Sequence, residues 1–137
     1  MRAPSPFRSD KEFEIVQQTI YAEARGEPLE GQKAVAWVIY NRAKKGVSYF
    51  GKTMQDVCLK PYQFECWNAN VKSQWYPPKE TQAYNKIGGW LKTVFNEKDY
   101  SKGADYYNNP SIEGYPAWTK NCYVTTRIGN HVFYKGK

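Results

Sequence analysis

Thr19-Ile20-Tyr21-Ala22-Glu23-Ala24-Arg25-Gly26-Glu27-Pro28-Leu29-Glu30-Gly31-Gln32 reads as the end of one helix, a tight corner and the start of another. Two carboxylates, Glu23 and Glu27, stand four residues apart across that corner. Gly26 is the expected stop of the first helix, in a left-handed conformation after its last turn. Pro28 falls where proline is welcome, in the first turn of the next helix, and Glu27 and Glu30 suit the positive end of its dipole.

Working outward, Ser9-Asp10-Lys11-Glu12 has the form of a capping box and opens the first helix. Phe13, Val16, Ile20 and Ala24 follow at three- and four-residue spacing and make one apolar stripe. The second helix is expected from about Pro28 to Lys44, ended by Gly46. Its Ala34, Val35, Val38 and Ile39 mark it as the central buried helix. Residues 1–8, with two prolines and no periodicity, read as a flexible arm ahead of a single catalytic domain, 9–137.

Thr53 should start a short helix that Pro61 ends. The segment 62–78, with Phe64, Trp67, Trp75 and Tyr76, reads as an aromatic loop, and a third long helix is expected from Lys79 to Asn96. Gly88-Gly89 inside it costs roughly 1 kcal/mol per glycine against alanine, which implies a kink or close packing. The last third turns β-rich. A short strand is expected within 103–110, and Tyr123–Ile128 and His131–Tyr134 flank the turn pair Gly129-Asn130. Helices followed by a small antiparallel sheet make the fold class α+β.

At 137 residues the chain supports one core. No apolar run approaches the roughly 20 residues of a membrane helix, and the mean hydropathy is −0.80, so no membrane insertion is expected. A net charge of +7 with 12 Tyr, 5 Trp and 6 Phe suits an anionic polymer with flat-faced units. That means a nucleic acid, with phosphates and stacking bases, or an acidic glycan, whose ring faces lie on aromatic side chains. No nucleic-acid motif accompanies the charge. Cys58, Cys66 and Cys122 are an odd set without a CxxC, and one histidine cannot complete a zinc site of usual spacing. Buried free thiols are expected, with a Cys66–Cys122 or Cys58–Cys66 bridge as the alternative. No metal or cofactor is called for.

Cleaving a glycosidic bond needs a carboxylic acid that stays protonated until it meets the leaving oxygen. Glu23, in the last turn of a helix, has the negative end of the macrodipole and nearby apolar groups to favour its neutral form. The commoner fate of a helical glutamate is a solvent-facing position. Glu27 is the obvious candidate for a second carboxylate, although capping the second helix explains it better. Asp56, Glu65 and Asp105 offer no sign of a nucleophile. His131, the lone histidine, reads first as a structural residue and second as a substrate contact.

Tyr21-Ala22-Glu23-Ala24-Arg25-Gly26-Glu27-Pro28, then Gly31-Gln32, Ala34-Val35-Ala36, Val38-Ile39 and Asn41-Arg42, resembles the signature of the spore cortex-lytic enzyme family of cell-wall hydrolases. Gln63-Phe64, Gly103-Ala104 with Tyr107 and Asn109-Pro110, and Trp118 followed by Arg127 to Phe133 agree in order and spacing. The likeness runs from Phe13 to Tyr134. It implies a lysozyme-like fold, with Glu23 as the acid that cuts between N-acetylmuramic acid and N-acetylglucosamine in peptidoglycan. It further implies a lytic transglycosylase, in which the muramic acid's own C6 hydroxyl closes to a 1,6-anhydro product. Gln63, Phe64, Tyr107, Trp118 and His131 fall in matching blocks and are candidate groove or supporting residues. A hydrolysing muramidase and a glycan-binding module are the alternatives.

Family members acting on spores usually carry a secretion signal and a wall-binding domain, and the sequence begins with neither. The expectation from that departure is a monomeric bacteriophage endolysin, held in the host cytoplasm until lysis and then acting on peptidoglycan strands.

Overall fold

The structure, a computed structural model, describes residues 6–60, Phe64, Trp67 and 81–137, the side chain of Thr81 excepted. Helix α1 spans Asp10–Ala24 and starts as its sequence dictates: Ser9 Oγ accepts from Glu12 N at 3.1 Å. The Glu12 carboxylate, buried, accepts from Arg8 N at 2.8 Å and Gln55 N at 3.0 Å. One acid therefore ties the start of α1 to the start of α3 (Met54–Leu59), which Thr53 caps. Within the stretch expected as a loose arm, the Phe7 ring packs 5.0 Å from Phe13 and 6.0 Å from Phe95.

Helix α2 (Leu29–Lys45) is the buried centre, with Ala34 to Ile39 inside the core and Gly46 closing it at φ 70°. The corner before it differs from expectation. Gly26 is not left-handed: Arg25 keeps helical angles, and the turn closes through Glu27 N to Ala24 O at 2.9 Å. The side-chain amide of Gln32 reaches back to Arg25 O and Glu27 O and holds the corner from α2. Arg25, exposed, donates to Tyr21 O and Ala22 O, satisfying carbonyls at the end of α1.

The expected third long helix stops at Leu91 (α4, Thr81–Leu91), and a 3-10 turn covers Val94–Asn96. Packing decides this. The break turns Phe95 back to stack on Tyr40 at 4.6 Å and to meet Trp37 at 5.2 Å. Strands β1 (Tyr106–Asn108), β2 (Cys122–Ile128) and β3 (His131–Gly136) form an antiparallel sheet in the order β1-β3-β2. A short helix α5 (Pro110–Glu113), capped by Asn109, follows β1. The pairing of β2 slips at Thr125, whose hydroxyl instead donates to Ser101 O at 2.6 Å.

One sheet face enters the main core through Phe133; the other carries a second cluster of Tyr106, Tyr134, Trp118 and Phe50. Cys58 is buried, Cys122 half-buried, and both are free thiols, as the sequence suggested. Cys66, Glu65, Trp75 and Tyr76 lie outside the described residues.

The glycine pair of α4 divides in two. A Cβ on Gly88 would come within 2.6 Å of Gln17 Nε2, which donates to Tyr84 O, whereas one on Gly89 meets nothing within 4 Å. Gly89→Ala should therefore raise the melting temperature by a few degrees, reflecting about 1 kcal/mol of helix propensity. Gly88→Ala should show no gain, because its methyl displaces the Gln17 amide. Thermal melts of the two variants check the difference.

Candidate active site

Glu23 ends α1 half-buried, and its partner comes from the far side of the sequence: Tyr107 Oη donates to Glu23 Oε1 at 2.7 Å. A phenol hydroxyl can donate to a carboxylate and accept from a carboxylic acid, so this contact suits a group that changes protonation state. Tyr107 lies on β1 opposite Phe133, with ring centroids 5.8 Å apart. His131 stands two residues along β3, on the same face, 5.0 Å from the Tyr107 ring. Glu23, Tyr107 and His131 are thus brought to one place.

Two ties set that geometry. The first fixes β1. Asn41 Nδ2 donates to Asp99 Oδ2 at 3.0 Å and Ala104 O at 2.9 Å, while Asp99 also accepts from Ser101 N, Ser101 Oγ and Gly103 N. Arg42 Nε donates to Asp105 O at 2.7 Å, and Lys45 Nζ meets Asp105 Oδ2 at 2.7 Å. The chain therefore enters β1 at a place prescribed by the end of α2. Buried Arg42 also lies over the rings of Phe50, Tyr106 and Phe64. Burial lowers its pKa, while neighbouring Tyr107, Tyr106 and Asp105 pull it back up.

The second tie fixes β3. Glu27 Oε1 accepts from Asn130 N at 2.8 Å and Oε2 from Asn130 Nδ2 at 3.1 Å. Gly129 takes φ 57°, and a Cβ there would lie 2.8 Å from Pro28 Cδ and closer still to Glu27 Oε1. Only glycine lets the turn sit this close to the corner. Glu27 therefore neither caps α2, whose N-cap Pro28 has no side-chain hydrogen bond, nor stands free beside Glu23. It clamps the β2–β3 turn to the α1–α2 corner.

His131 is buried, and its Nδ1 has no hydrogen-bond partner among the described residues. Burial lowers its pKa, opposed by the charges of Glu27 and Glu113. The imidazole is packed between Tyr107 and Phe133 as a wall of the site.

Other expected groove residues fall elsewhere. Phe64, 1% exposed, is a core residue beneath Arg42, so its ring cannot line a groove. Trp118 packs on Tyr106 and Tyr134, on the sheet face opposite Tyr107, where alternation along the strands puts it out of reach of Glu23. Gln63 lies outside the described residues. Trp67, placed from sequence only in an aromatic loop, joins the site's surroundings. Its Nε1 donates at 2.8 Å to Thr19 Oγ1, one turn before Glu23. That pairing, across 48 positions, has no local signal in the sequence. Among the described residues no three of His, Cys, Asp and Glu cluster to hold a metal ion.

A carboxylate at a helix end, braced by a sheet tyrosine, in an α+β domain with a lysozyme-like fold defines the class. Residues 26–134 match the family model described as Cell Wall Hydrolase, and the chain belongs to that family. The match starts at Gly26, so Glu23 lies just ahead of it. The spore cortex-lytic enzyme of Bacillus subtilis is 35% identical over 91% of this chain, and that of Halalkalibacterium halodurans 34% identical over 91%. The chain spans 38% and 35% of the length of those curated relatives. Among solved structures, the catalytic domain of the germination-specific lytic transglycosylase SleB from Bacillus anthracis superposes with a TM-score of 0.74 at 30% identity. That superposition covers 97% of this chain and all of that one. The Bacillus cereus SleB catalytic domain gives 0.72 at 30% identity, with 93% and 91% covered.

Two outcomes follow from the clamp and the buried imidazole. Glu27→Ala removes both acceptors of Asn130. It should cost roughly 1.5–3 kcal/mol, the range of hydrogen bonds to a charged group, read as an earlier urea midpoint. His131, its pKa lowered in the fold from 6.5, takes up its proton more readily when unfolded. Stability should hold above about pH 6.5 and decline as pH falls below it. Melting temperatures between pH 7.5 and 5 should drop more steeply for wild type than for His131→Phe.

Proposed function

We propose that this domain is a peptidoglycan lytic transglycosylase with Glu23 as its acid and then its base. The observation that carries the reading is the 2.7 Å contact of Tyr107 with Glu23, at the edge of a half-buried site, while the nearest carboxylate in sequence, Glu27, spends both oxygens on Asn130. The relatives named spore cortex-lytic enzyme and the SleB catalytic domains support the substrate class.

Protonated Glu23 gives its proton to the oxygen linking C1 of N-acetylmuramic acid to N-acetylglucosamine, and the C1–O bond breaks. The resulting carboxylate takes the proton of the muramic acid C6 hydroxyl as that oxygen bonds to C1. Glu23 is thereby reprotonated, no water is consumed, and the product carries a 1,6-anhydro ring. Tyr107 holds the carboxyl in position through both halves, donating to the ionised form and accepting from the neutral one.

Mass spectrometry of fragments released from purified peptidoglycan tests this. Wild type should yield muropeptides ending in 1,6-anhydro-muramic acid, and Glu23→Gln should lower their rate by about 10²–10⁴-fold, the usual effect of a positioned general acid. Tyr107→Phe should retain the fold and lose part of kcat. Reducing muramic acid ends would mean that water attacks instead, and wall binding without fragments would favour a glycan-binding module. Because the chain carries +7, wall clearing should also slow as salt rises from 50 to 300 mM, the direction that screening dictates.

A further inference from the structure

At the end of the domain away from Glu23 lies a cleft of about 200 Å³, bounded by the start of α1, the end of α2 and the approach to α3. Arg8, Lys44 and Lys52 line it, all three exposed and, among the described residues, without an ion pair. Its one carboxylate, Glu12, is buried and accepts from Arg8 N and Gln55 N, and among the described residues it makes no ion pair with the three side chains. Tyr40, half-buried and held by its stack on Phe95, supplies a flat wall.

The basic surface continues on either side. Arg8 is shared with a cleft of about 430 Å³ that Lys92 also lines, and Lys52 with one of about 400 Å³ that Lys60 lines. Each outer cleft has two cations and one acid, Asp10 or Asp56, where the central one has three cations and Glu12. Arg8 and Glu12 lie eleven or more residues before Glu23 on or next to α1. At about 1.5 Å per residue that is roughly 16 Å along the helix, too far for one sugar to touch both places.

We propose that this cleft is a second, non-catalytic binding site for an anionic group, phosphate or carboxylate, on a wall polymer, with Tyr40 against the neighbouring sugar or peptide. It rests on the reading of the domain as a wall enzyme, and it would hold the domain on its insoluble substrate while Glu23 acts on a separate stretch of glycan. Arginine and lysine heads without protein partners are free to meet phosphate or carboxylate oxygens, and aromatic faces accept sugar rings.

Arg8→Gln/Lys44→Gln/Lys52→Gln, built on Glu23→Gln so that nothing is cut, is tested by cosedimentation with purified walls. The reference is Lys98→Gln/Lys120→Gln/Lys135→Gln, which loses the same charge from exposed positions outside the cleft. The cleft variant should bind about tenfold more weakly and the reference less than about twofold. Equal losses, or none, overturn the proposal. If the cleft triple melts early, Lys44→Gln/Lys52→Gln, at two exposed side chains, decides against Lys98→Gln/Lys120→Gln, which loses the same charge.

Walls stripped of phosphodiester polymers separate the sources. A difference that vanishes on stripping assigns phosphate, and one that persists assigns the stem-peptide carboxylates. With Glu23 intact, the cleft variant should cut short soluble glycan fragments at the wild-type rate. A wild type that cuts no fragment would defeat the lytic reading, yet the binding comparison would still decide the cleft.

Discussion

The carboxylate of Glu27 joins the helical part of this molecule to its sheet. Both oxygens accept from Asn130, and the left-handed Gly129 lets the turn lie against Pro28. His131 and Phe133 follow directly along β3, so their placement beside the end of α1 depends on that docking. With it loosened, β3 could shift relative to α1, and the strand that carries Tyr107 would shift with it. A carboxylate held through both oxygens by the backbone and side chain of one residue is a directional constraint, because charge-assisted hydrogen bonds are short and strong.

The second constraint works from the other end of α2. Asn41, Arg42 and Lys45, in the last turns of α2, bind Asp99, Ala104 and Asp105, so one helix dictates where the chain enters β1. Glu23 and Tyr107 meet because α2 is held at both ends, by the Gln32–corner contacts at its start and by this network at its finish. Under the proposed transglycosylase reading one carboxyl is enough, because the substrate supplies its own hydroxyl.

Charge is distributed in keeping with that division. At the candidate site Glu23 meets the neutral hydroxyl of Tyr107, whereas Arg8, Lys44 and Lys52, without an ion pair among the described residues, gather at the opposite end. Under the proposed reading, a basic far surface would attract an anionic wall.

Much of the secondary structure was legible locally. Ser9 and Thr53 cap their helices, Gly46 ends α2, and Gly129-Asn130 makes the hairpin, because caps and turns are decided by neighbours within a few residues. Position at a helix end made Glu23 a candidate acid, and only the family resemblance singled it out. The tertiary structure alone decided the rest. Gly26 needed no left-handed turn once Gln32 held the corner, and α4 stopped early so that Phe95 could stack on Tyr40. Glu27 became a clamp, Phe64 a core residue and Trp118 a support on the wrong sheet face, since each depends on partners far along the chain. Local sequence encodes backbone preference and periodicity; which side chains face one another across the fold follows only from how the elements pack.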